Sequence, residues 1–166
     1  DTPIAWRGPK LSGALERLLD AHWDDADMLV VDLPPGTGDI HLTMLAKFRP
    51  AGALIVTTPQ DLALIDARRA IALLRQAQVP IVGLVENMAG YECPHCGMAS
   101  DPFGAGGAEA AADELGLAFL ARIPLTLSIR RDSDAGHPPA ARDGPEAQTF
   151  AALARAVADR LDAAGR

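Results

Sequence analysis

Four short, mostly apolar runs without regular apolar–polar alternation, at 28–31, 53–57, 81–85 and 119–123, place the tightest limit on how this chain can fold. A strand with one face in water alternates apolar and polar residues, so runs of this kind belong to strands buried on both faces. The segments between them have helical spacing. Leu11, Leu15, Leu18 and Leu19 share one helical face over 11–23, and Leu64, Ala67, Ile71 and Leu74 line a second helix opened by Pro59. An alanine-rich helix ending at Gly116 and a last helix carrying Phe150, Leu153, Val157 and Leu161 complete the pattern. Strands and helices in this order predict an α/β fold with a mostly parallel sheet covered by helices on both faces, in a single domain over 1–166. Residues 132–145, with three prolines and two glycines, read as an irregular connection.

In such a sheet, ligands bind beyond the carboxyl ends of the strands. Asp32, Thr57-Thr58, Asn87 and Pro124 all fall there, and a loop with the chain's only two cysteines, Cys93 and Cys96, starts from the same edge.

Each of these residues has a plain reading and a functional one. Asp32 is either a strand-end aspartate that caps a turn or a Mg²⁺-linked carboxylate of Walker-B type. The run Pro34-Pro35-Gly36-Thr37-Gly38-Asp39 favours the second. Its prolines exclude regular structure, the amides of Gly36 and Gly38 are free to approach a phosphate, and Asp39 can cap the helix that follows and position a water. Asn87 either bonds local backbone or pairs with the edge of adenine, as asparagine does in DNA. Pro124 is a helix-start proline or a surface against a purine ring. A phosphate loop also needs Gly-Lys-Ser/Thr. The only lysines, Lys10 and Lys47, are in no such context.

Cys93 and Cys96, in Cys-Pro-His-Cys-Gly, supply two thiolates to one metal or cluster, whereas a closed site needs four ligands. Three readings compete: half a zinc ribbon, a redox dithiol, and a four-cysteine site shared across a dimer that holds iron–sulfur or zinc. The shared site accounts best for one pair per chain. His95 lies between the cysteines and is expected to point outward. His22, His41 and His137 read as surface residues, and Trp6 and Trp23 as packing anchors.

Composition removes other classes. A net charge of −7 argues against broad binding to nucleic acid or anionic lipid. No apolar run reaches the roughly 20 residues of a membrane span, and the N-terminus has no signal-peptide pattern. One strained CxxC bridge would not be a secreted framework, so a reducing cytoplasm is the expected setting.

These residues resemble the Mrp/ApbC family of iron–sulfur cluster carrier ATPases, relatives of MinD and the nitrogenase iron protein. The resemblance is carried by Trp6-Arg7-Gly8-Pro9, by 32–39, by Val56-Thr57-Thr58-Pro59-Gln60 and by Val85-Glu86-Asn87-Met88. The cysteine pair, Phe103-Gly104 with Gly106-Gly107, and Ile123-Pro124-Leu125 continue it over nearly the whole chain. It implies a P-loop NTPase-like fold, incomplete at its N-terminus, and a homodimeric ATPase that binds ATP, Mg²⁺ and a bridging [4Fe–4S] cluster, which it passes to apo-proteins. Asp32 and Asp39 would be the catalytic carboxylates and Gly36, Thr37 and Gly38 the switch segment. Asn87 and Pro124 would hold adenine, and Cys93 and Cys96 the cluster. Family members carry a lysine- and glycine-rich P-loop upstream of the region matched here, so the chain reads as the C-terminal portion of a carrier, without ATP turnover by itself. The rival is a non-catalytic dimerisation module bridged by zinc or a cluster. A MinD-like membrane-positioning role fits poorly, because the last helix has only Arg155 and Arg160 as basic residues over 150–161.

Overall fold

The computed structural model describes residues 8–164, so Trp6 and Arg7 lie outside the described residues. The chain divides into two compact units, Asp1–Pro50 and Ala51–Arg166.

The first unit pairs helix α1 (Gly8–Leu19) with helix α2 (Asp39–Lys47). Leu15 and Met44 are its buried side chains. Ser12 and Thr43 share a hydroxyl hydrogen bond of 2.9 Å, and Lys47 Nζ donates to Glu16 Oε1 at 2.5 Å. Helix α1 stops at Leu19, short of the expected Trp23, and the Trp23 indole N–H donates back to the Leu18 carbonyl. Helix α2 starts at Asp39 itself, with Gly38 as the capping residue, so Asp39 is the first helical residue and not the cap.

The strand expected at 28–31 does not form. Met28, Leu29, Val30 and Val31 are all exposed, Val30 by 83%. A strand exists only through hydrogen bonds to a neighbour, and none of the described strands pairs with this run. Apolar composition alone therefore did not make it a strand, and Asp32 follows a segment that pairs with none of the described strands.

The second unit holds the sheet. Strands β1 (Ala53–Thr57), β2 (Ile81–Glu86) and β5 (Phe119–Arg122) lie side by side in the order β1-β2-β5, all parallel. Strands β3 (Tyr91–Glu92) and β4 (Ala99–Ser100) form a separate antiparallel hairpin. Helix α3 (Asp61–Gln76) packs on β1 and β2, and helix α4 (Gly107–Leu115) on β2 and β5. The two helices also touch each other, and Arg75 of α3 donates to the Leu115 carbonyl at 2.7 Å. Ile55, Ala67, Ile71, Leu84, Ala111 and Ala112 are the core between them. Helix α6 (Pro145–Ala164) packs separately against β2 and β5. Helix α4 ends, as expected, at Gly116 in the left-handed conformation, φ 64°. Pro59 does not open α3, which begins at Asp61 after Gln60. Part of the expected irregular connection is ordered: helix α5 (Leu127–Asp134) and a 3-10 turn at Pro139–Ala141 occupy it.

Strand β2 passes very close to β5 at Gly83. A Cβ there would sit 2.6 Å from Leu120 Cγ and 2.8 Å from the Ala118 carbonyl oxygen. Gly83→Ala is expected to cost about 1–3 kcal/mol through overpacking. This would be read as a lower urea midpoint at unchanged slope. An unchanged midpoint would mean that β5 shifts aside freely.

Candidate functional site

The carboxyl ends of the three parallel strands are in register, with Thr57 opposite Glu86 and Glu86 opposite Arg122. Main-chain bonds extend the alignment one residue further. The Asn87 N–H donates to the Thr57 carbonyl at 2.7 Å, and the Ile123 N–H donates to the Glu86 carbonyl at 2.8 Å. Thr57-Thr58, Asn87 and Pro124 are thereby brought to one edge, as the topology predicts. Asn87 is half-buried, and its Oδ1 accepts from the Met88 N–H at 2.9 Å, the local bond of its plain reading.

The cysteine hairpin is fastened to the same edge. The Ala89 N–H donates to the Ile123 carbonyl and the Leu125 N–H to the Gly90 carbonyl, each at 3.0 Å. Tyr91 and Leu125 form a parallel bridge beside them. Within the hairpin Tyr91 pairs with Ser100 and Glu92 with Ala99. The Cys93 N–H donates to Met98 O at 3.0 Å, and the Gly97 N–H closes the turn on Cys93 O at 2.8 Å. Gly97, at φ 70°, takes the left-handed conformation that a glycine adopts without strain. Cys93 is half-buried and Cys96 exposed, and both are free thiols. Hydrogen bonds from the main chain at His95, then at Cys96, and from the Cys96 side chain hold the Cys93 thiol below its usual range. A thiol biased toward thiolate is the form that ligates a metal. Among the described residues no group of three or more His, Cys, Asp or Glu side chains is arranged around one metal position. Within one chain, the pair supplies two ligands.

The other predicted residues, Asp32, Gly36, Thr37, Gly38 and Asp39, are all carried by the first unit. Gly36 has φ 97°, and a Cβ at Gly36 or Gly38 would meet no atom within 4 Å, so the backbone there is open to a ligand. Asp32 is exposed. His41, expected at the surface, is half-buried, and its burial lowers its pKa. His95, by contrast, is exposed.

Glu86 is a residue whose role the sequence reading missed. It closes strand β2 and is fully buried. Its carboxylate accepts from the Ala108 N–H at 2.9 Å and the Gly106 N–H at 3.3 Å, at the start of helix α4, where the helix dipole favours an anion. Arg122 Nε adds a third bond at 3.2 Å, and the same guanidinium pairs with Glu109 and lies over the Phe119 ring. The available signal was a charged residue closing an otherwise apolar strand, which cannot be buried without partners.

A groove of about 480 Å³ opens between the hairpin, the segment after β5 and the start of α6. Pro124 lines it and Asn87 does not.

A parallel, helix-covered sheet with its candidate groups at the carboxyl edge is an α/β fold of P-loop NTPase type. The comparisons with known proteins agree. A family model, "ParA: NUBPL iron-transfer P-loop NTPase", matches residues 1–159, and the chain belongs to this family. An iron–sulfur cluster carrier protein of Pseudomonas fragi is 50% identical over 144 residues, covering 86% of this chain and 50% of its own length. The carrier protein of Escherichia coli is 44% identical over 164 residues, covering 98% of this chain and 44% of its own. The chain thus spans about half the length of the curated relatives it matches. Among solved structures, a nucleotide-binding protein of Archaeoglobus fulgidus in complex with ADP superposes with a TM-score of 0.68 at 38% identity, covering 77% of this chain and 53% of that one. The cell division ATPase MinD of Pyrococcus furiosus gives 0.62 at 26% identity, covering 92% and 59%. No described helix is long and apolar enough to cross a membrane.

Proposed function

We propose that the protein to which this chain belongs carries an iron–sulfur cluster between two copies, through Cys93 and Cys96 of each, and delivers it to apo-proteins. The observation that carries the reading is the hairpin. It presents two free cysteines on one tight turn, one exposed and one half-buried, in a chain whose relatives are named cluster carriers. Two thiolates per copy complete the four that a [4Fe–4S] cluster takes. A cluster held at a two-fold axis on exposed turns exchanges readily, which suits delivery more than electron transfer.

ATP and Mg²⁺ are the proposed ligands of the remaining residues. Gly36, Thr37 and Gly38 would meet the phosphates through open backbone, Asp32 would meet the metal, and Asp39 would position a water. Asn87 and Pro124 would hold the adenine. Bound ATP would order the 34–39 loop and draw the copies together, and both compact units would belong to one α/β domain in a cytoplasmic homodimer. Hydrolysis is proposed for the full-length protein.

The test is anaerobic reconstitution of the full-length protein with iron and sulfide. The expected result is a broad visible absorption, and transfer of that absorption to an apo-ferredoxin. Uptake of one zinc per pair of copies with no iron would overturn the reading in favour of a zinc-bridged dimerisation module, for which Cys-Pro-His-Cys-Gly is an equally suitable half-site.

A further inference from the structure

The groove beside the hairpin is large enough for part of a bound chain, since pockets that hold small ligands run from about 300 to 1,000 Å³. Its apolar lining includes Leu125 and Tyr91. The charged residues among its lining, Glu92, Asp101 and Glu146, are all acidic, and none of the described residues that line it is Lys, Arg or His. Glu146 is fixed by Ser128, whose hydroxyl donates to Oε1 at 2.8 Å, and this bond and its own main-chain N–H keep the carboxyl below its usual range. Ser128 in turn is bonded to Thr126 at 3.0 Å, so Glu146 is anchored at the start of α5. The hairpin forms the other side of the groove and brings Glu92 and Asp101 to it. Tyr91 and Glu92 precede Cys93 directly, and Ala99 and Ser100 follow Cys96 by three and four residues.

We propose that this groove docks the recipient polypeptide through a basic segment, rich in Arg or Lys, that neighbours the recipient's own cysteines. Charge complementarity selects the segment, because a negatively lined groove attracts cations and rejects acidic chains. The apolar lining takes the aliphatic stems of Arg and Lys while their charged heads meet the acidic residues of the groove. A segment seated there touches the strands that lead into and out of the cysteine turn, so the receiving thiols arrive next to the donor thiolates. The proposal rests on the reading of Cys93 and Cys96 as the cluster ligands, and its test can fail independently of that reading.

The probe is a short fluorescein-labelled peptide of arginines spaced by glycine and serine, without cysteine. It is titrated by anisotropy into the cluster-loaded full-length protein, beside a counterpart with glutamate for arginine. The arginine peptide is expected to bind, more weakly as salt rises, and the glutamate peptide is not. Thr149→Arg, which places a cation in the groove, and the milder Asp101→Asn are each expected to weaken binding, the former by roughly tenfold or more, with the visible absorption of the cluster retained. Equal binding of both peptides, or unchanged binding by both variants, overturns the proposal while leaving the cluster reading intact. A shift from dimer to monomer in Thr149→Arg also overturns it, by showing that a second copy occupies the groove. Arginine-selective binding in a protein that takes up no iron would support the groove and defeat the cluster reading.

Discussion

Replacing Cys93 or Cys96 by alanine in the full-length protein is expected to abolish the visible absorption of the reconstituted cluster altogether. Each substitution removes two of four ligands when the site spans two copies, and two thiolates do not retain a [4Fe–4S] cluster. The turn itself should survive. The bonds that close it, from the Gly97 N–H to Cys93 O and from the Cys93 N–H to Met98 O, are main-chain bonds that alanine keeps. Thermal unfolding of the apo-protein should therefore move little, which separates lost ligation from lost folding. Retention of about half the absorption in either variant would contradict a four-cysteine site, because it would mean that one thiolate per copy suffices.

Glu86→Ala is expected to be the most damaging change to folding in the sheet unit. It leaves the amides at the start of α4 without their acceptor, and Ala108 there is fully buried. Arg122 loses its buried partner and keeps the exposed Glu109. A buried donor left without an acceptor costs about 1–3 kcal/mol, so the total is on the order of 3 kcal/mol, a large share of the roughly 5–15 kcal/mol that holds a domain folded. The urea midpoint should fall by about 1–2 M at the usual slope for a protein of this size. Glu86→Gln, which keeps one acceptor oxygen and the volume, should lose less. A fall below about 0.3 M in the alanine variant would show that water replaces the carboxylate at little cost.

The sheet was legible because its strands obey a local rule. The runs at 53–57, 81–85 and 119–123 are mostly apolar without alternation, with Arg122 their one charged residue, and each became a parallel strand within a residue of the expected bounds. The run at 28–31 obeys the same rule and is not a strand, because strand formation also depends on a partner, which is not a property of four residues. Helix α5 was missed for the opposite reason. Leu127–Asp134 is mostly polar and buries none of its side chains, so no apolar stripe announced it. Its start is set by the Thr126 hydroxyl, which accepts from the Ile129 N–H at 3.2 Å. The cysteines were conspicuous as the only two in the chain, and the hairpin that frames them was not, since strands of two residues carry no periodicity. Glu86 stood in the run Val85-Glu86-Asn87-Met88 without a role, because only the folded chain brings Gly106, Ala108 and Arg122 around it.

The hairpin joins the domain through peptide groups at Ala89, Gly90, Tyr91, Ile123 and Leu125, and none of those bonds depends on a side chain. A graft that keeps the attachment residues and exchanges the span from Cys93 to Met98 should therefore seat in the same place. The scaffold is in that sense a socket: turns with other ligand sets or other spacings could be installed on it and compared while the rest of the chain stays constant.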